Sequence, residues 1–115
     1  MTLMTLPRAL GAATLAVLAG AIIAAGGASL AATGDAAVTI KNFDFQPMAV
    51  SVPVGATVIW KNLDGEPHTV TSLDGAFRSG ALDQGDSFSF RFAKPGVYKY
   101  LCTIHPRMVA SVTVR

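Results

Sequence analysis

Cysteine is almost missing from this chain of 115 residues: it has one, Cys102, so no intrachain disulfide can form. Histidine is nearly as scarce, with only His68 and His105. Charged residues make up 14% of the chain, and no acidic residue precedes Asp35. There is no cluster of Lys and Arg, which argues against nucleic acid as a partner. There is no Arg-Arg pair in the front segment, so nothing points to a twin-arginine export route. Neither a repeat nor a low-complexity tract occurs after Ala31. The length leaves room for one domain.

Hydrophobic residues, by contrast, reach 51%, and the excess lies at the front. Between Ala9 and Ala32 the only polar side chains are Thr14 and Ser29. Arg8 precedes this run, and Gly26, Gly27, Ala28 and Ser29 close it. Charge, apolar run and small residues together read as a Sec-type export signal, with cleavage expected after Ala31, behind Ser29-Leu30-Ala31. The competing reading is an uncleaved membrane anchor, because the run approaches the roughly 20 apolar residues a spanning helix needs. The expected division is a signal over residues 1–31 and a domain over residues 32–115, periplasmic or otherwise exported. Losing Arg8 lowers Lys plus Arg from 9 to 8 against 7 acidic residues, leaving a net charge of +1.

Beyond Gly34 the pattern has period two. Val38 to Lys41, then Phe43 and Phe45, then Val50, Val52 and Val54 alternate with polar neighbours. So do Phe88, Phe90 and Phe92, Tyr98 and Tyr100, and Ala110, Val112 and Val114. Short alternating runs mark strands with one buried face. Turn dipeptides separate them: Val54-Gly55, Asp64-Gly65, Asp74-Gly75, Gln84-Gly85 and Pro95-Gly96. Many short strands at close spacing predict an all-β antiparallel sandwich or barrel. The stretch from Leu73 to Leu82 is irregular and reads as a loop that could hold one helical turn. A domain of this size has a modest core, and a bound metal is a natural staple where no disulfide exists.

The chemistry concentrates in Tyr100-Leu-Cys-Thr-Ile-His-Pro-Arg-Met108, between two expected strands. Cys102, His105 and Met108 place a thiolate, an imidazole and a thioether within seven residues, and His68 stands 34 positions before Cys102. Taken singly, each has a plain structural reading: Cys102 as a small buried hydrophobe, Met108 as core filling, the histidines as a loop residue and a strand end. Taken together they match a trigonal His₂Cys copper site with a weak axial Met, alternating between Cu(I) and Cu(II). Structural zinc takes four Cys or His ligands and does not use methionine. Iron–sulfur clusters need more cysteines. Two histidines are too few for the second copper centre of an oxidase or nitrite reductase, so an enzyme is not expected. The runner-up class is copper sequestration or delivery, which would favour more methionines and an open site.

These motifs resemble the plastocyanin/azurin superfamily of cupredoxins, and most closely its amicyanin-like branch. The resemblance runs over about residues 36–115. It is carried by Pro67-His68, Asp74-Gly-Ala-Phe77, Ser79-Gly-Ala-Leu82, Pro95-Gly-Val-Tyr98 and Cys102-Thr-Ile-His105-Pro-Arg-Met108. It implies a Greek-key β-sandwich of about eight strands with a copper near one end, held by His68, Cys102, His105 and Met108. It also implies a monomeric carrier of single electrons between redox proteins such as a c-type cytochrome or a periplasmic dehydrogenase. His68 is then the buried imidazole and His105 the one near the surface. Around His105, Pro67 and Pro106, with Met48 a further candidate, would form a docking patch. The sequence departs from the family at Thr69, where most members have asparagine. A hydroxyl lacks an amide's two donors, so loop rigidity and redox potential are expected to differ, while the backbone N–H of Thr69 still reaches the sulfur.

Overall fold

The computed structural model describes residues 34–115; the expected signal segment and cleavage site lie outside the described residues. Eight strands follow one another and no helix occurs among the described residues. They are β1 (Ala36–Ile40), β2 (Phe45–Gln46), β3 (Ala49–Val52), β4 (Thr57–Asn62), β5 (Thr71–Ser72), β6 (Ser87–Arg91), β7 (Gly96–Leu101) and β8 (Val109–Val114). One sheet has the order β2-β1-β4-β6 and the other β3-β8-β7-β5.

The expected all-β sandwich is present, but its sheets are mixed, not purely antiparallel. β1 pairs with β4 in parallel, and β3 pairs with β8 in parallel. The reason is topological. Between β1 and β4 the chain leaves for the other sheet as β3 and then returns. A strand reached by such a crossover can run beside its neighbour in the same sense, whereas a short hairpin forces antiparallel pairing.

β4 alternates too, although the sequence reading did not single it out. Val58, Trp60 and Asn62 are buried, while Ile59 and Lys61 face out. In β6 Phe88 and Phe90 lean inward, and Phe92 just beyond it is fully buried. Trp60 is the centre of the core. It stacks at a tilt on Phe77 and Phe88 and meets Tyr100 edge-on. Aromatic pairs in offset or edge-on geometry add to what area burial alone supplies.

Two readings are corrected. Phe43 does not continue the β1 alternation. Asn42 and Phe43 have φ of 55° and 58°, so the chain turns in the left-handed region before β2, and Phe43 is left 49% exposed while Phe45 is buried. The segment from Leu73 to Leu82 contains no helical turn. It is an irregular loop tied back by bridges from Thr71 to Arg78 and from His68 to Leu82, and its Phe77 side chain fills the core. Gly75 supplies the positive φ of 81° that its turn requires, a conformation favouring glycine.

Candidate metal centre

Two segments meet at one end of the sheets. The first runs from the end of β4 to β5 and carries His68. The second is the seven-residue loop 102–108 that joins the antiparallel neighbours β7 and β8. The pairing of Thr71 in β5 with Leu101 in β7 sets them side by side.

Each segment is shaped by its own hydrogen bonds. In the first, the fully buried Asn62 is the organiser. Its Nδ2 donates to the carbonyls of Glu66 and Leu82, and its Oδ1 accepts from the Asp64 N–H at 2.9 Å. His68 and Leu82 then exchange backbone bonds in both directions. In the second, the Cys102 N–H donates to the Met108 carbonyl at 3.1 Å, and the Met108 N–H to the His105 carbonyl at 2.8 Å. The loop is thereby folded so that Cys102 and Met108 both sit in the core, 0% and 5% exposed.

Three of the four expected ligands converge. Cys102 Sγ lies 3.8 Å from His68 Nδ1 and 3.7 Å from His105 Nδ1, and the three ligand atoms lie within 4.8 Å of one another. Metal bonds of about 2.0 Å to nitrogen and about 2.3 Å to sulfur, set at trigonal angles, would separate such atoms by about 3.7 Å. The spacing is therefore that of ligands around one ion. Met108 closes the same loop and is buried. His68 is 0% exposed and His105 half-buried, the order expected.

The surroundings of these atoms are also specified. The sulfur accepts the Thr69 N–H at 3.3 Å. The Thr69 hydroxyl does more than the sequence reading allowed. It accepts the Thr103 N–H at 2.7 Å and touches the Thr103 hydroxyl at 2.9 Å, so it ties the two segments together in place of an amide. His68 Nε2 faces Asp64 Oδ2 at 2.9 Å. A carboxylate can only accept, so Nε2 carries the proton and Nδ1 presents its lone pair to the sulfur side.

Asp64 is a residue the sequence reading missed. It entered only as part of an Asp-Gly turn. Besides His68, its carboxylate accepts the N–H groups of Asn42 at 2.7 Å and Phe43 at 2.9 Å. Partial burial works to raise its pKa, but these two backbone N–H groups and the His68 side chain outweigh that and hold it below the ordinary carboxylate value. Phe43 was missed as well. Its ring stands edge-on to both imidazoles, with centroids 5.2 Å from His68 and 5.0 Å from His105. Nothing in local sequence joins positions 43, 64, 68 and 105. Met48 fares differently. It lines an outward groove with Leu73, Lys99 and Val109, a lining that includes none of the four expected ligands.

Residues 12–114 match the family profile of the cupredoxin-like domain. The chain belongs to the cupredoxin-like family. Among similar proteins, this cupredoxin is 34% identical over 107 residues to amicyanin-alpha of Methylorubrum extorquens, covering 89% of this chain and 87% of that one. Its structure resembles a purple cupredoxin from Nitrosopumilus maritimus at 37% identity and a TM-score of 0.65, covering 70% of this chain and 100% of the other. It also resembles a reduced Cu(I) form of an amicyanin variant at 29% identity and a TM-score of 0.67, covering 71% and 83%. One copper ion is the cofactor that this cupredoxin's donor set accommodates, and His68, Cys102, His105 and Met108 form its candidate site.

Proposed function

We propose that this cupredoxin is an exported carrier of single electrons, and that His68, Cys102, His105 and Met108 would hold a type 1 copper. The observation that carries the reading is the buried Cys102 sulfur with an imidazole nitrogen at 3.7 and 3.8 Å on either side. Copper, when bound, supplies a one-electron couple between Cu(I) and Cu(II). The chain's part is to hold the donors still. Asn62 and Asp64 fix His68 from behind, the 102–108 hydrogen bonds fix Cys102 and Met108, and Thr69 locks the two segments. Ligands held alike in both oxidation states leave little to reorganise when one electron arrives from a donor and leaves to an acceptor.

His105, the half-exposed imidazole, offers the short route from the ligand cluster to solvent. Pro106 and Ile104 beside it are exposed, as a small apolar contact for a brief redox encounter would be. The partners we propose are redox proteins, such as a c-type cytochrome or a periplasmic dehydrogenase, and residues 1–31 are the export signal that precedes a domain over 32–115. The test is to add Cu(II) to the purified protein, record its visible and EPR spectra, and then add ascorbate. Intense visible absorption with a narrow copper hyperfine splitting, bleached reversibly, is the expected result. A pale spectrum of ordinary tetragonal Cu(II) would overturn the electron-carrier reading in favour of copper handling.

A further inference from the structure

Phe43 is anomalous on three independent counts. It is a large aromatic side chain left half exposed, although the neighbouring Phe45 is fully buried. It and Asn42 form two successive non-glycine residues in the left-handed region, which is disfavoured for a side chain such as phenylalanine. Its ring nevertheless lies edge-on to both histidines, at interplanar angles of 86° and 88°. Burial in the core does not explain the unfavourable backbone, because the residue is left half exposed. The clamp on the turn explains how that backbone is held. Lys41 and Asp44 exchange backbone bonds, and the Asp64 carboxylate takes both N–H groups of the left-handed pair.

We propose that Phe43 is a positioning residue. Its ring is a cap that restrains both imidazoles from the solvent side, and Asp64 holds that cap closed while orienting His68. One carboxylate thus couples the two restraints. The restraint matters most for His105. His68 is pinned by Asp64 and by its bridge to Leu82, whereas no hydrogen bond other than the contact with the Cys102 sulfur is seen at the His105 ring among the described residues. An edge-on aromatic contact opposes rotation of His105 out of the ligand cluster without blocking a partner from reaching its exposed side.

The proposal rests on the copper-ligand reading above, so its test has one arm that needs no metal. In the metal-free full-length chain, NMR should show the carbon-bound ring protons of His105 and His68 displaced by the aromatic ring current, and Phe43→Leu should move both sets back. In the copper-loaded, reduced chain, a Cu(I) chelator should remove copper about tenfold faster from Phe43→Leu than from the native chain, the scale expected for two aromatic contacts. Phe43→Tyr should restore the native release rate, and metal-free Phe43→Leu should keep the native far-UV circular dichroism spectrum, so that faster release is not a consequence of unfolding. Release at the native rate from Phe43→Leu, or histidine resonances that the substitution leaves in place, would overturn the cap. If the native chain binds no copper, the ligand reading fails, and the metal-free resonances still decide whether Phe43 positions the imidazoles.

Discussion

The two segments that bring the imidazoles together are built on opposite plans. The stretch between Asn62, the last residue of β4, and His68 belongs to no strand, yet it is pinned by a buried amide, a carboxylate and a bridge to Leu82. The loop from Cys102 to Met108 is a hairpin connection held by two backbone bonds of its own. Its Thr103, Ile104, Pro106 and Arg107 face solvent. The first plan yields an imidazole with one allowed position. The second yields a short, exposed loop that can meet another molecule and that draws rigidity from outside itself, from Thr69 and from the Phe43 ring. A redox centre needs both properties, and dividing them between two segments avoids asking one loop for fixity and exposure together.

The comparison can be broken at the atom where the two segments meet. Cys102→Ser should abolish the intense visible absorption of the copper-loaded protein entirely, because thiolate is its source; spectrophotometry after Cu(II) addition checks this. Loosening the first segment should cost the most stability. Asn62→Ala removes the two bonds to the Glu66 and Leu82 carbonyls and the one from the Asp64 N–H, and about 3 kcal/mol should be lost in denaturant unfolding of the metal-free protein. An equal loss from a polar truncation in 102–108, such as Thr103→Ala, would contradict the asymmetry.

The strand feeding the second loop carries a pH signature. Tyr100 is buried in the core, and its hydroxyl and the Trp60 indole nitrogen make no hydrogen bond of good geometry. Burial pushes the Tyr100 pKa up to about 12 from 10.0, with the nearby Trp60 N–H pulling slightly the other way. A folded-state pKa above the unfolded one means that the neutral phenol's contribution is fully present below pH 10 and is lost as pH rises toward 12. That amounts to between about 2 and 3 kcal/mol at the top of the window. Unfolding titrations over that range should show the decline, and Tyr100→Phe should flatten it. The smallest effect is expected where the segments are tied. Thr69→Val removes the hydroxyl that accepts from Thr103 but keeps the N–H on the sulfur. It should cost about 1 kcal/mol and leave the visible band in place.

Much of this was readable in the chain. A lone cysteine, two histidines and a methionine three residues beyond one of them define a donor set through ligand chemistry, which depends on residue type and on short spacing. The β6 and β8 alternations named buried faces correctly, because a strand's period of two is a local property. The failures were equally local in origin. Phe43 and Phe45 share one alternation and met different fates, since Phe43 lies in a turn held by a carboxylate 21 residues further along. Thr69 looked like a loss against asparagine because its partner, Thr103, lies 34 positions away.

Residue chemistry over a few neighbours was enough for the candidate donor atoms, the all-β class, most of the turns and the loop that carries three of the four candidate ligands. Only the tertiary structure decided that two sheets would be mixed, that Asn62 and Asp64 would build the pocket behind His68, and that an aromatic ring would cap both imidazoles. Those outcomes depend on contacts between segments distant in the chain, and no local pattern encodes a hydrogen bond whose acceptor arrives from another loop.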